Sequence, residues 1–253
     1  MTLHIIGIGL NNEKDITVKG LELVQKADVV YLENYTATLN CNTLDLAKFY
    51  NKQIILAHRE MVEGDDNEIL QNALNEEVAF LVVGDPFSAT THLDLMMRAK
   101  QQGIKVTITN NASVLTAIGI TGLQLYKFGK TTSLPYPEEN FEPETAYDVI
   151  KQNKTAGLHT LILLDIKTHL KKYMNIQEAL EILLALEQKR KENVFTEETI
   201  VVGCARLGSE AQVIHAGTVA EVLLKDFGAP LHCLIVPGTL HFMEEEALRM
   251  WKN

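Results

Sequence analysis

The stretch of residues 79–92 constrains the fold more than any other part of the sequence. It opens with an unbroken apolar run, 79–83, which has the length of a strand buried on both faces of a parallel sheet. Gly84, Asp85 and Pro86 follow at once, and a proline cannot donate to a ladder, so the strand ends there. In open α/β sheets, ligands bind outside the carboxyl ends of the strands. We expect either a polar ligand site at Asp85 or an ordinary strand-to-helix turn.

Strands and helices alternate through the first half of the chain. Apolar runs predict strands at 3–8, 29–33, 53–57, 78–83 and 105–109. The stretches between them predict helices at 17–26, 43–50, 67–75, 93–102 and 113–121. This alternation is typical of βα units, which build a mainly parallel sheet.

The pattern changes after residue 127. Pro135, Pro137 and Pro143 lie close together among acidic residues, which indicates a linker or a surface excursion. The second half then predicts strands at 160–166, 199–205, 212–216 and 231–236, with helices at 145–154, 175–191, 218–225 and 243–251. We therefore expect two α/β domains with mainly parallel sheets, 1–127 and 128–253. If the two sheets pack edge to edge, their polar strand ends would converge on one active-site cleft.

Composition excludes several classes of protein. The net charge is −10, which argues against a general nucleic-acid binder. The chain has three cysteines, an odd number, and they are far apart in the sequence: Cys41, Cys204 and Cys233. Neither a disulfide framework nor a zinc site is therefore expected. The sequence has neither an apolar run long enough to cross a membrane nor a basic signal-peptide start. We expect a soluble cytoplasmic protein that binds no membrane.

Short motifs exclude further chemistries. Gly7 and Gly9 follow the first strand, but Asn12 stands where a dinucleotide-binding fingerprint needs its third glycine. The alternative is that the two glycines simply make a tight turn. A Walker loop, a serine-hydrolase elbow and a zinc-protease motif are all missing from the sequence, and no metal-ligand spacing occurs.

Nine segments along nearly the whole chain together resemble one family. They are GIGL at 7–10, DITVKGL at 15–21, VGDP at 83–86, ATTH at 89–92, GITGL at 119–123, YKFG at 126–129, GLHTL at 157–161, LDIK at 164–167 and HCLIVPG at 232–238. This combination resembles the diphthine synthases, which have the tetrapyrrole-methylase fold. The combination is far more specific than any one of its segments.

The resemblance implies an S-adenosylmethionine-dependent methyltransferase of diphthamide biosynthesis. The family has two α/β domains with the cofactor in the cleft between them, and it is similar to enzymes that work as homodimers. The implied substrate is the 3-amino-3-carboxypropyl-histidine of translation elongation factor 2, whose amino group is methylated repeatedly. The archaeal type adds three methyls and the eukaryotic type adds a further methyl as an ester. The segment between Lys167 and Tyr173 is short here and lacks the long insertion that eukaryotic members have after this motif. This short segment favours the archaeal type.

Matching motifs assign a set of residues to the cofactor: Leu10, Asp85, Ser88, Ser113, Val114, Leu164, Leu207 and His232. At Ser88 and Leu207 the family varies, so a backbone contact is expected there. From the residues alone, core packing is the alternative for Leu10, Leu164 and Leu207. Asp85 and Asp165 lie near the cleft by motif, but neither is assigned as a catalytic base.

The implied substrate carries a carboxylate, which a cationic side chain of the enzyme would bind. Lys167, Lys171 and Lys172 form a basic run beside Asp165, and Arg206 is a further candidate. The alternative is that these lysines form a solvated face. Two other functions stay open. One is a methyltransferase of the same fold that acts on a tetrapyrrole precursor. The other is a non-catalytic α/β protein that binds the cofactor without turnover.

Overall fold

The computed structural model describes residues 1–64, 67–139 and 141–252. The chain forms two compact units, Met1–Val114 and Leu115–Asn253. Each unit has its own sheet and its own apolar core. The domain boundary that the sequence predicts, after residue 127, remains a prediction.

The first unit is built on a parallel sheet. In the described residues it has five strands, β1 (Thr2–Gly7), β2 (Val29–Glu33), β3 (Ile55–Ala57), β4 (Val78–Val82) and β5 (Lys105–Thr109). Their order is β3-β2-β4-β1-β5, and every neighbouring pair is parallel. The parallel sheet predicted for the first half is therefore confirmed.

Helices cover both faces of this sheet. They are α1 (Val18–Lys26), α2 (Thr43–Tyr50), α3 (Arg59–Glu63), α4 (Glu68–Ala73) and α5 (Leu93–Gln101). Alternate residues of β1 enter two separate cores, Leu3 and Ile5 on one face and Ile6 on the other. This two-sided burial is the reason that the strands are apolar throughout rather than alternating.

The second unit has a mixed sheet, which differs from the sequence expectation. Its strands are β6 (Thr132–Leu134), β7 (Thr160–Leu164), β10 (Ile200–Ala205), β11 (Val213–Thr218) and β12 (His232–Val236), in the order β11-β10-β12-β7-β6. Only β6 and β7 pair in parallel, and the other neighbours are antiparallel. The short link from β10 to β11 holds no helix, and a parallel pair needs a crossover of roughly a dozen residues or more. The expectation of mainly parallel sheets thus holds for the first unit alone, while the α/β class is confirmed.

The remaining elements complete the second unit. A small hairpin, β8 (Ile166–Lys167) and β9 (Lys172–Tyr173), follows β7. The helices are α6 (Val114–Ala117), which starts at the last residue of the first unit, α7 (Glu144–Thr155), α8 (Ile176–Arg190), α9 (Val219–Leu223) and α10 (Phe242–Arg249). The helix predicted at 113–121 ends early, because the chain tightens into a 3-10 helix, Ile118–Thr121, before Gly122 at φ +87°. Among the described residues, no helix is both long and apolar enough to span a membrane.

Candidate functional site

The loops after β1 and β4 meet at the carboxyl edge of the first sheet. Gly9 N donates to Gly84 O at 3.3 Å, and Gly84 N donates to Gly9 O at 2.7 Å. Both glycines have φ near +80°, at +79° and +77°, a conformation that side chains rarely adopt. A Cβ placed on Gly84 would lie 3.9 Å from Leu10 Cδ2 and 3.9 Å from Ser113 Cα. The structure therefore brings Leu10 and Ser113, two residues predicted to bind the cofactor, to the same glycine.

The carboxylate of Asp85 is held inside its own loop. Oδ1 accepts from Phe87 N at 3.0 Å and from Ser88 Oγ at 3.2 Å. Oδ2 accepts from Asn110 Nδ2 at 2.9 Å and from Asn111 N at 3.2 Å. Burial alone would raise the pKa of Asp85, but these hydrogen bonds hold it below its ordinary value. Asp85 is therefore a charged acceptor that fixes the loop. Because both of its oxygens are occupied, its carboxylate is poorly suited to act as a catalytic base.

Asn111 is a site residue that the sequence reasoning did not assign. Its Nδ2 donates to Gly7 O and to Asp15 O, both at 3.0 Å. Asp15 Oδ2 in turn accepts from Leu10 N at 3.2 Å. Asn111 therefore ties the end of β5 to the loop that presents Leu10. An asparagine directly after a strand, next to a glycine turn on the neighbouring strand, is the signal that could have identified it.

Three predicted residues lie at one edge of the second sheet. Ala205 is opposite His232, and Leu163 is opposite Cys233, so the ends of β7 and β10 flank the start of β12. Leu164 ends β7, and Leu207 lies in the turn after β10. Leu164, Leu207 and His232 thus form a second group within the second unit.

His232 faces a pocket of about 270 Å³ that Asn175, Gln177 and Phe227 also line. Its Nε2 lies 3.0 Å from Ala229 O, and because a carbonyl only accepts, Nε2 carries the proton. Nδ1 is buried and has no hydrogen-bond partner within the described chain. Burial lowers the pKa of His232. With Nε2 protonated, Nδ1 is the acceptor nitrogen of this ring.

The basic residues predicted to bind a substrate carboxylate differ in their partners. Arg206 donates from Nε to Ala211 O at 3.0 Å and from Nη1 to Phe227 O at 2.8 Å and to Ala229 O. Lys167 Nζ lies 2.7 Å from Glu138 Oε1. Arg206 and Lys167 are thus already engaged inside the second unit. Lys172 Nζ instead lies 3.6 Å from the centroid of the Tyr136 ring.

The other predicted residues fall in the two units as follows. Ser88, through its hydroxyl, belongs to the Asp85 loop, and Val114 begins α6 next to Ser113. These two residues join the group of the first unit. Among the described residues, no cluster of three or more histidine, cysteine, aspartate or glutamate side chains could hold a metal ion.

Comparison with known proteins identifies the relatives of this chain. Residues 2–223 match the family model described as Tetrapyrrole (Corrin/Porphyrin) Methylases. The chain is 48% identical to a protein of Methanococcus aeolicus named diphthine synthase, over 97% of this chain and 96% of the relative. It is 45% identical to the diphthine methyl ester synthase of Dictyostelium discoideum, with 100% of both chains covered.

Solved structures agree with the sequence relatives. A crystal structure of diphthine synthase matches with a TM-score of 0.91 and 36% identity, covering 100% of this chain and 96% of that one. This structural match extends over the whole chain, so it includes both groups of predicted residues. The chain belongs to the tetrapyrrole methylase family, among the diphthine synthases, as its motifs indicate.

Proposed function

We propose that this chain is an S-adenosylmethionine-dependent methyltransferase that methylates the amino group of 3-amino-3-carboxypropyl-histidine on translation elongation factor 2, giving diphthine. The observation that carries the proposal is the identity of 48% with a diphthine synthase over 97% of this chain. Diphthamide biosynthesis is the process in which this step belongs.

The residues present fit the donor. S-adenosylmethionine supplies a methyl group that its sulfonium makes electrophilic. We propose that the donor is contacted by the two groups of residues described above: Leu10, Asp85, Ser88, Ser113, Val114, Leu164, Leu207 and His232. The protonated nitrogen of His232 is engaged, so its buried Nδ1 is suited to accept from the amino group of an adenine ring. Gly84 lies next to Leu10 and Ser113, so in this proposal its missing side chain keeps that side of the donor site small.

Catalysis in this proposal rests on positioning. Holding an amine in line with a transferable methyl can contribute roughly 7–11 kcal/mol to lowering the barrier. Each transfer needs a neutral amine, so a proton must leave beforehand. Asp85 is occupied by four hydrogen bonds, and Asp165 Oδ2 accepts from Tyr136 N at 3.0 Å. The four bonds at Asp85 leave that carboxylate unsuited to act as a base. We assign no base role to Asp165, and we propose that solvent takes the proton.

We propose that the enzyme stops at three methyls. The match to the methyl ester synthase of Dictyostelium runs over 273 residues, 20 more than the 253 of this chain. The match to the diphthine synthase of Methanococcus aeolicus runs over 246 residues. Only four residues, 168–171, separate Lys167 from Lys172 here. The compact hairpin β8–β9 therefore supports the three-methyl type.

A homodimer in the cytoplasm completes the proposal. Tyr126, Phe242 and Met250 are large apolar side chains of the second unit that are exposed to solvent. In this proposal they contribute to the interface between two copies, since exposed apolar patches mark protein–protein contacts. A cytoplasmic location follows from the substrate, because elongation factor 2 works on ribosomes. Light scattering after size-exclusion chromatography tests the dimer, and a mass of about 28.3 kDa would contradict it.

Mass spectrometry of the target histidine tests the proposed activity. Elongation factor 2 that carries the unmethylated side chain is incubated with enzyme and isotope-labelled donor. We expect exactly three labelled methyls, stable to mild base. A fourth, base-labile methyl would contradict the three-methyl assignment. Transfer to uroporphyrinogen but not to the factor would favour the tetrapyrrole alternative. Donor binding without transfer, even in a single turnover, would favour a non-catalytic protein.

A further inference from the structure

The hairpin β8–β9 lies immediately after the predicted cofactor residue Leu164. Lys167 and Lys172 are cross-strand partners in this hairpin, so their side chains emerge on the same face. Both ammonium groups approach Tyr136, at 6.0 Å and 3.6 Å from the ring centroid. This places two cations over one aromatic ring beside the end of β7.

Tyr136 is a fixed platform. Its backbone N donates to Asp165 Oδ2 at 3.0 Å, and its hydroxyl donates to Glu178 Oε2 at 3.1 Å. The residue is buried, and it packs with the core of the second unit. The ring is therefore held at both ends, and a cation resting on its face has a defined position.

The two lysines differ in their counter-charge. Lys167 pairs with Glu138 Oε1 at 2.7 Å. For Lys172, by contrast, no carboxylate of the described residues lies within 4.0 Å of the ammonium. Arg206, the other cation near this edge of the sheet, gives its donors to backbone carbonyls. Lys172 is thus a pre-positioned cation whose N–H groups can donate to an anion.

We propose that Lys172 binds the carboxylate of the substrate's 3-amino-3-carboxypropyl group, with Tyr136 setting its position. This inference rests on the proposed function and names the residue that recognises that substrate. The carboxylate and the amino group share one carbon atom, so an anchored carboxylate holds the amine in place through all three transfers. A carboxylate that is paired with an ammonium is also a poorer nucleophile, which accounts for the absence of ester formation in the proposed reaction.

Substitutions at Lys172 and Tyr136 separate binding from a structural role. Lys172→Gln removes the charge but keeps the length, and Lys172→Arg keeps both the charge and the stacking on the ring. Tyr136→Phe keeps the aromatic face and loses only the hydroxyl bond to Glu178. Lys191→Gln is the matched control, because Lys191 is an exposed lysine of the same unit that lies outside the basic run, and no carboxylate of the described chain pairs with it.

The test measures steady-state methyl transfer to modified elongation factor 2, donor affinity by calorimetry, and thermal stability of the full-length protein. For Lys172→Gln we expect the KM for the factor to rise about tenfold, with donor affinity and stability unchanged. The defect should shrink at high salt, because the lost interaction is between charges. Lys172→Arg and Lys191→Gln should stay within about twofold of the unaltered enzyme. Tyr136→Phe, which loses one of the two bonds that hold the ring, should raise KM by less than Lys172→Gln does.

Two results would overturn the assignment of Lys172. One is an unchanged KM for Lys172→Gln in an enzyme that still methylates the factor, which would leave the proposed function intact and refute this inference alone. The other is an equal rise in KM for Lys191→Gln, which would indicate diffuse attraction rather than a defined anchor. Failure of the unaltered enzyme to methylate the factor would instead refute the proposed function itself.

Discussion

Nε2 of His159 lies 2.9 Å from Oε1 of Glu244, and both side chains are fully buried in the second unit. Gly238 N donates to His159 Nδ1 at 3.0 Å, which leaves the proton of the ring on Nε2, facing Glu244. Lys127 Nζ bonds the other oxygen of the same carboxylate. Three of the segments that carry the family resemblance, 126–129, 157–161 and 232–238, therefore meet around one carboxylate of α10.

Replacing Glu244 with glutamine should destabilise the fold strongly. The carboxylate also accepts from Gln124 N and His241 N, so all four of its partners are donors. An amide group would turn two of its own N–H bonds toward those donors and leave Lys127 without its counter-charge. We expect the free energy of unfolding to fall by about 3 kcal/mol, measured by urea denaturation.

Glu245→Gln is the control for that measurement. Glu245 lies next to Glu244 in the first turn of α10, but its side chain is exposed. Its replacement should change the free energy of unfolding by less than about 0.5 kcal/mol. Equal losses in the two variants would mean that charge near the start of the helix, and not the buried cluster, stabilises this end of the chain.

The same carboxylate should make stability depend on acid. Burial opposes ionisation of Glu244, but its bonds from Lys127, Gln124 N and His241 N lower its pKa to about 2. A lowered carboxyl pKa contributes stability that is complete above the ordinary value of 4.5 and is lost as pH falls toward 2. We expect urea midpoints to fall over this range, and to fall less in Glu244→Gln. Parallel decreases in both proteins would contradict this assignment.

Asp85→Asn should weaken donor binding. The carboxylate accepts from Asn110 Nδ2 and Asn111 N on one oxygen, and an amide nitrogen on that side would oppose both donors. The loop between β4 and α5 should then lose its fixed shape. We expect the dissociation constant for S-adenosylmethionine to rise at least tenfold, measured by calorimetry. Asp94→Asn, at an exposed position on α5, should leave it unchanged.

Gly84→Ala and Gly103→Ala should have equal effects on stability but different effects on donor binding. Both glycines have positive φ, +77° and +75°, and in neither case would a new Cβ meet an atom closer than 3.8 Å. Each substitution should therefore cost about 1 kcal/mol of backbone strain. Only the Cβ at Gly84 would point at Leu10 and Ser113, so only Gly84→Ala should abolish measurable donor binding. Full affinity in Gly84→Ala would remove this loop from the proposed donor site.

Local patterns in the sequence predict most of the elements correctly. The strand β2 (Val29–Glu33) and the helix α2 (Thr43–Tyr50) have the predicted bounds, and most others differ by a residue or two at their ends. The helix α6 ends four residues early, and α3 and β6 were not predicted. Apolar runs and caps lie within a few neighbouring residues, so they can be identified without knowing the fold. The hairpin β8–β9 was not predicted, because its strands have only two residues each.

The candidate site was predictable only as a set of strand ends. Motifs supplied the residues of both groups, including Asp85 and His232. Asn110 and Asn111 were not assigned, although they supply two of the four hydrogen bonds to Asp85. Their contact with that carboxylate joins residues 25 and 26 positions apart, a separation over which sequence patterns carry no signal.

By itself, the sequence determined the α/β class, the parallel sheet of the first unit and the family, because periodicity, turn residues and motifs are local properties of the chain. Tertiary structure alone decided the antiparallel pairing of the second sheet, the stacking of Lys172 on Tyr136 and the pairing of His159 with Glu244. The last two pairs join residues 36 and 85 positions apart. Partners so distant in the chain meet only when packing of the whole unit brings their elements together, so no local pattern can specify them.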